Sequence, residues 1–276
     1  LYNSAKQQYH CSPTDHSLQH EVVTSLAVSP DDKLLIGSLC GVDILDDKTG
    51  DIEHWNCNSA VSPLSSNFVN SLYSKDGQIW VGTETGGITK LVPRLLQLEF
   101  YQNDPRNPGS IARNAVNAMF PAPDGTLWVG VVEGGLNALS PHSKNFVHYT
   151  TANSGLPHNS VSTLAADGHG NLWIGTWGGG VAVMPLGEPG KMQRLLVGDR
   201  YQGLLSFVGA FAYDAINDGM WIGTNDGLFF YDIKKRQLEE PFPHCLDIRG
   251  GIGSLVTRDG KLLMGCIQGM VEVDLR

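Results

Sequence analysis

The chain has 276 residues, 41% of them apolar and 17% charged, and a formal charge of −9. Such an apolar share can bury a large core, while the net negative charge and the lack of Lys/Arg clusters interleaved with aromatics argue against a phosphate-binding surface, and so against nucleic acid as a partner. No run approaches the roughly 18 apolar residues of a membrane-spanning helix and no basic, apolar leader precedes Leu1, so any anchor or export signal is expected in segments outside this chain.

In chain order, Leu1 to Cys11 reads like the late strands of a repeat, Lys6 to His10 resembling the later Asn145 to Tyr149. Leu34-Leu35-Ile36-Gly37-Ser38 is then the first of six related tracts. Ile79-Trp80-Val81-Gly82-Thr83, Leu127-Trp128-Val129-Gly130-Val131, Leu172-Trp173-Ile174-Gly175-Thr176 and Met220-Trp221-Ile222-Gly223-Thr224 are sharp copies, and Leu262-Leu263-Met264-Gly265-Cys266 is a weaker one. Their glycines stand 42 to 48 residues apart. That period belongs to propeller blades or paired-helix solenoids.

The third unit decides between the two. Ala115 to Phe120 is an extended run that must end at Pro121-Ala122-Pro123-Asp124-Gly125, where proline presets φ and Asp-Gly supplies the left-handed position. Thr126 to Val131 is too short for a helix and rich in β-formers, as expected of a strand covered on both faces. Glu133-Gly134-Gly135 turns the chain into Leu136 to Leu139, and Pro141-His142-Ser143-Lys144 turns it into Asn145 to Tyr149. This is a four-stranded antiparallel meander, and with no long helical period in the chain the paired-helix alternative falls. The expected fold is all-β: a β-propeller of six four-stranded repeats in a single domain spanning residues 1–276, the first strand of each lining a central channel. The last unit stops after Met270 to Val273, so pairing of the two chain ends is the favoured closing device; the alternative is a piece of a seven-bladed ring or of a double propeller.

The 33 glycines fall at turn positions, and the repeated Trp80, Trp128, Trp173 and Trp221 occupy one structural slot, which predicts packing between blades. Cys11, Cys57 and Cys245 fall at rim strands and Cys40 and Cys266 near inner turns; equivalent positions on different blades lie too far apart for disulfides, so free thiols are expected. His10, His54 and His148 read as solvated rim histidines. Gly-x-Ser-x-Gly, P-loop, His-Glu-x-x-His and Cys-x-x-Cys signatures are lacking, and neither a metal nor a cofactor is implied.

Functional residues are sought instead among those that differ from unit to unit. In a propeller, the loops between strands two and three, and those leading into strand one, gather around one mouth of the channel. Here they carry Leu39-Cys40, Glu84-Thr85, Val132-Glu133, Trp177-Gly178, Asn225-Asp226 and Ile267-Gln268, joined by His20, Asn67, Arg113, Asn114, His158 and Asn159. From this ring Trp177, Glu133, Glu84, Arg113, His158, Asn159, Asn225, Asp226 and His20 are the candidate ligand-binding residues. Amides and carboxylates offer bidentate hydrogen bonds and Trp177 a flat platform, a mixture suited to a polyhydroxylated ligand and almost as well to a peptide.

The phrase Asn159-Ser160-Val161, then Asp167-Gly168-His169-Gly170-Asn171-Leu172-Trp173-Ile174-Gly175-Thr176 and Gly178-Gly179-Gly180, preceded by Phe146-Val147-His148-Tyr149 and Ser154-Gly155-Leu156-Pro157, resembles the two-component regulator propeller repeat. The resemblance covers essentially the whole chain and is sharp in the second to fifth units. It departs in the first and last, where Leu35 and Leu263 replace the Trp. It implies a periplasmic sensor region of a hybrid two-component histidine kinase receptor, often tied to oligosaccharide use, whose phosphorylation chemistry lies elsewhere in the protein. Its implied partners are an oligosaccharide ligand, the remainder of the receptor chain and a second copy in a homodimer, with membrane contact only through segments not present. Two other readings remain open on the residues alone: a propeller lyase or glycosidase drawing on Glu84, Glu133, Asp226 and His158, and a protein-interaction scaffold.

Overall fold

The computed structural model describes residues 17–58, 64–75, 77–91, 100–242, 251–267 and 269–276. They form six antiparallel sheets, each a meander of strands in sequence order, five with four strands and the last with three. The innermost strands are Val23–Val28, Val69–Lys75, Val116–Pro121, Val161–Ala166, Val208–Asp214 and Ile252–Arg258, each packed beside its successor around a common axis, with the sixth beside the first. This is the six-bladed propeller that the repeats predict. The third unit's strands, Val116–Pro121, Leu127–Val131, Gly135–Leu139 and Phe146–Tyr149, lie within a residue or so of their expected bounds. The suggested outer strand at Leu1 to Cys11, and with it the pairing of the chain ends, lies outside the described residues, as do Cys11, Cys245, His10 and Gln268. Cys40 and Cys57 stand as thiols.

One contact, made six times, holds the blades together. Every second strand carries its glycine where a Cβ would strike the β-branched residue opening the next blade's inner strand: Gly37 against Val69, Gly82 against Val116, Gly130 against Val161, Gly175 against Val208, Gly223 against Ile252 and Gly265 against Val23. These six partners are at most 4% exposed. Bare backbone thus receives a branched side chain, and the blades approach more closely than any larger residue would permit. Six buried clusters fill the clefts, one between each neighbouring pair of blades, the sixth joining Val23, Leu26, Leu34 and Ile36 to Leu263 and Met270.

The repeated Trp packs toward the next blade, as its slot predicts, but not equally in every copy. Trp128, Trp173 and Trp221 are buried, and in the last two the indole N–H donates to a carboxylate from the turn before the strand, Asp167 (3.0 Å) or Asp214 (3.2 Å). Trp80 is half-buried, with the Lys90 ammonium 4.9 Å from its ring centre. His54 is exposed, as expected of a rim histidine, but its ring is also tied to the blade. Its Nδ1 lies 2.7 Å from Oδ1 of Asp43, a fully buried carboxylate that also accepts from the backbone N–H (2.9 Å) and side chain (2.7 Å) of Gln19. Asn137 sits at the equivalent place in the third blade and accepts from Ala112 N–H (3.0 Å). These polar groups pin the incoming loop to the third strand, so the buried acceptor has a structural purpose. His148 is half-buried, with Nε2 3.1 Å from the Pro108 carbonyl.

Candidate functional site at the channel mouth

Each inner strand contains a β-bulge one residue after its opening Val or Ile: Thr24, Asn70, Asn117, Ser162, Gly209 and Gly253 have no partner in the strand register. A bulge re-aims its residue out of the ladder. All six line a cavity of about 540 Å³ at the channel mouth, a size typical of small-molecule sites. The bulge hydroxyls of Thr24 and Ser162 donate to the next blade's first carbonyl, Val69 O (2.5 Å) and Val208 O (2.6 Å), and so help to stitch the wall. Asn117 behaves differently: its Nδ2 is buried yet has no hydrogen-bond partner among the described residues.

The cavity opens beneath an aromatic rim. Trp177, 42% exposed, is bridged strand-fashion to Phe207, 49% exposed, with Ile267 and Asn225 completing this side of the mouth. Backbone bonds fix these side chains: Trp177 N–H donates to Ser160 O (2.9 Å), Gly178 N–H to Ser206 O (2.7 Å) and Asn225 N–H to Phe207 O (3.3 Å). The lining contains amides, hydroxyls, aromatics and aliphatics, and among the described residues no Asp, Glu, Lys, Arg or His.

Of the residues singled out from sequence, Trp177 and Asn225 line this cavity and the others do not. His20 and His158 act locally, each Nδ1 accepting from the backbone N–H two residues on (3.0 Å in both). Asn159 accepts from Thr151 N–H at 2.8 Å and Asn67 from Cys57 N–H at 2.7 Å, so both tie a blade entry to the preceding outer loop. Glu133 is exposed in a left-handed conformation (φ 53°), its N–H 3.3 Å from Ser160 Oγ. Glu84, Arg113 and Asp226 are exposed, with the N–H of Glu84 bonded to Phe68 O (3.0 Å) and that of Asp226 to Thr224 Oγ1 (3.0 Å).

Sequence reading overlooked the bulge residues and Phe207. A signal for them exists in a second repeated phrase: Val23-Thr24-Ser25-Leu26, Val69-Asn70-Ser71-Leu72, Val116-Asn117-Ala118-Met119, Val161-Ser162-Thr163-Leu164, Val208-Gly209-Ala210-Phe211 and Ile252-Gly253-Ser254-Leu255. Its second position varies while its neighbours hold their character, the pattern expected of a side chain released from packing.

The profile of the two component regulator propeller family matches residues 63–85 and 155–178, in each case the approach to a blade, its inner strand, its second strand and the start of the mouth loop. These two stretches are two component regulator propeller repeats. Trp177 and Glu84 each stand one residue before the end of a matched stretch, so the two stretches share a frame up to a mouth position that differs between them. No curated protein matches the chain significantly. Among solved structures, this chain is similar to the extracellular domain described as that of the hybrid two component system BT3049 of B. thetaiotaomicron, with TM-score 0.65 and 20% identity over 98% of this chain and 41% of that one. A domain described as the extracellular part of the one component system BT4673 of the same organism gives TM-score 0.69 and 16% identity, over 99% and 40%. Virginiamycin B lyase of Staphylococcus aureus gives TM-score 0.64 and 11% identity over 98% and 99%. At these identities the likeness is one of fold, and the chain spans about two fifths of the first two structures.

Outside the mouth, one charged cluster joins the fourth and fifth blades. Asp218 Oδ1 lies 2.7 Å from His169 Nε2 and accepts from Tyr213 Oη (2.8 Å), while Oδ2 is 3.3 Å from Lys234 Nζ. The hydrogen bonds from His169 and then Tyr213 hold the Asp218 carboxyl down to about 2. Burial, with the Asp218 carboxylate beside it, pushes the Tyr213 phenol up to about 12.

Proposed function

We propose that this propeller is the sensing region of an extracytoplasmic receptor of the two-component type, located in the periplasm, that binds an oligosaccharide at the channel mouth and passes the signal to a kinase region outside this chain. The carrying observation is a ligand-sized cavity with an aromatic rim and amide and hydroxyl walls, in a chain with two stretches that match the two component regulator propeller family. Sugars present flat C–H faces and dense hydroxyls, which Trp177 and Phe207 and the Asn side chains match respectively. The described lining has no carboxylate or histidine to act as general acid or base, which favours binding over turnover. A homodimer of the whole receptor is the proposed signalling form.

A thermal-shift series against mono- and oligosaccharides tests this, because a ligand binding only the folded state raises the melting temperature in proportion to the logarithm of its concentration over Kd. A saturable shift with a glycan, reduced by Trp177→Ala, supports the reading. Release of a cleaved or unsaturated product from that glycan would refute it in favour of an enzyme.

A further inference from the structure

The bulge residues around the channel are unevenly distributed, and their order in space follows the order of the blades. With six blades, the second faces the fifth and the third faces the sixth, so Asn70 stands across the channel from Gly209 and Asn117 across from Gly253. Thr24 and Ser162, the third opposing pair, turn their hydroxyls into the wall. The two bulge amides that line the cavity therefore face the two bulges that carry no side chain.

Gly209 and Gly253 reach this state for different reasons. A Cβ at Gly209 would collide with the Ile252 carbonyl oxygen, so packing between blades demands glycine there. At Gly253 the nearest atom to such a Cβ is Val23 O at 3.4 Å, an ordinary contact, and φ lies outside the left-handed region. The same bulge carries Thr, Asn, Asn and Ser in the first four blades, so its backbone accepts a side chain. Nothing in the fold requires glycine at position 253. It is exposed and lines the cavity together with Ile267, Phe207 and Trp177, and its missing side chain leaves the wall opposite Asn117 bare.

We propose that the channel takes one uncharged, polyhydroxylated end of the ligand, a neutral sugar unit inserted end-on beside Gly253, where the wall carries no side chain. Asn117 and Asn70 hydrogen-bond its hydroxyls from the far wall, and the Trp177–Phe207 rim stacks against the next unit outside. This inference rests on the sensing role proposed above and adds to it the charge class, the direction of entry and the residues that select. The charge class follows from the lining: a uronate or sulfate placed in this cavity would lose its water without meeting a cationic side chain among the described residues, at a heavy desolvation cost. The contact at the far end follows from Asn117, which lines the cavity and whose Nδ2, turned away from it, has no acceptor among the described residues, so that rotation of the amide toward a ligand hydroxyl breaks no hydrogen bond of that Nδ2.

The test is calorimetric titration of the 276-residue chain with neutral tri- and tetrasaccharides of glucose, xylose, mannose and fructose, alongside uronate-bearing and sulfated counterparts. Wild type, Gly253→Leu, Gly253→Ser, Asn117→Ala and Glu133→Ala are compared, each checked for an unchanged melting temperature. The expected result is binding of a neutral glycan only, abolished by Gly253→Leu, weakened about tenfold by Asn117→Ala through loss of one hydrogen-bonding group, and unchanged in Glu133→Ala. Should Gly253→Leu prove unstable, Gly253→Ser and Asn117→Ala decide. A neutral glycan bound equally well by the Gly253 and Asn117 variants overturns the channel insertion while leaving the sensing role standing. Tighter binding of the acidic glycans overturns the charge class. No binding of any glycan overturns both this inference and the oligosaccharide reading beneath it.

Discussion

Trp173→Ala separates what the repeat implies from what the structure implies. The sequence presents Trp80, Trp128, Trp173 and Trp221 as copies of one residue, whereas the fold ranks them. Trp173 is 3% exposed, packs edge-on against Tyr231 (centroids 5.4 Å apart) and Phe211 (6.2 Å), and satisfies an Asp167 oxygen. Truncation removes the packing at about 3–5 kcal/mol. It also takes one donor from Asp167, a smaller loss because Asn171 and His169 supply the other three hydrogen bonds. For 276 residues the unfolding entropy is about 0.6 kcal/mol/K, so a loss of about 4 kcal/mol lowers Tm by about 7 °C. Trp80→Ala, half-buried beneath Lys90, is expected to cost about half as much, and the exposed Trp177→Ala less than about 0.5 kcal/mol. Denaturant melts of the three variants, at matched protein concentration, give the comparison. Equal losses for Trp80→Ala and Trp173→Ala, or a large loss for Trp177→Ala, would refute the ranking by burial.

Further outcomes are expected from the same physics. Gly175→Val places its Cβ 2.5 Å from Thr163 Cγ2 and 2.8 Å from Val208 Cγ1, so it should destabilise the propeller by about 1–3 kcal/mol, whereas Gly253→Ala should leave the urea midpoint unchanged. Asp43→Ala strands the Gln19 N–H and amide inside the first blade and should cost about 3 kcal/mol, measurable as early loss of protection of residues 19–22 in hydrogen exchange. The Asp218 carboxyl is held at about 2 in the folded protein, below the ordinary aspartate value near 3.9, so its stabilising contribution is complete above about pH 4 and is lost as pH falls toward 2. Urea midpoints followed from pH 5 to pH 2 should therefore fall less steeply for Asp218→Asn, which keeps the left-handed conformation (φ 52°) accessible; an identical acid profile would show that His169 and Tyr213 do not hold the charge.

The repeat alone determined the architecture, because each tract must place the same glycine and the same apolar residues where blades meet, and that demand is written into local composition and spacing. Gly37, Gly82, Gly130, Gly175, Gly223 and Gly265 set the period and proved to be the six points of contact between blades. The same reasoning brought Trp177 and Asn225 to the mouth, since unit-specific residues in turns escape the packing constraint. What the sequence did not reveal is which polar residues are spent on the fold. His20, His158 and Asn159 have the chemistry of ligand-binding groups, but their acceptors are taken by backbone N–H groups, those of Val22 and Ser160 at the blade entries and that of Thr151 in the preceding outer loop. Nor does a chain position disclose that Asn117 and Gly253, more than a hundred residues apart, face one another across a channel. That juxtaposition arises only when six bulges converge on one axis, and it is the closing of distance by the tertiary fold, not any local preference, that turns a variable position in each strand into a wall of a cavity.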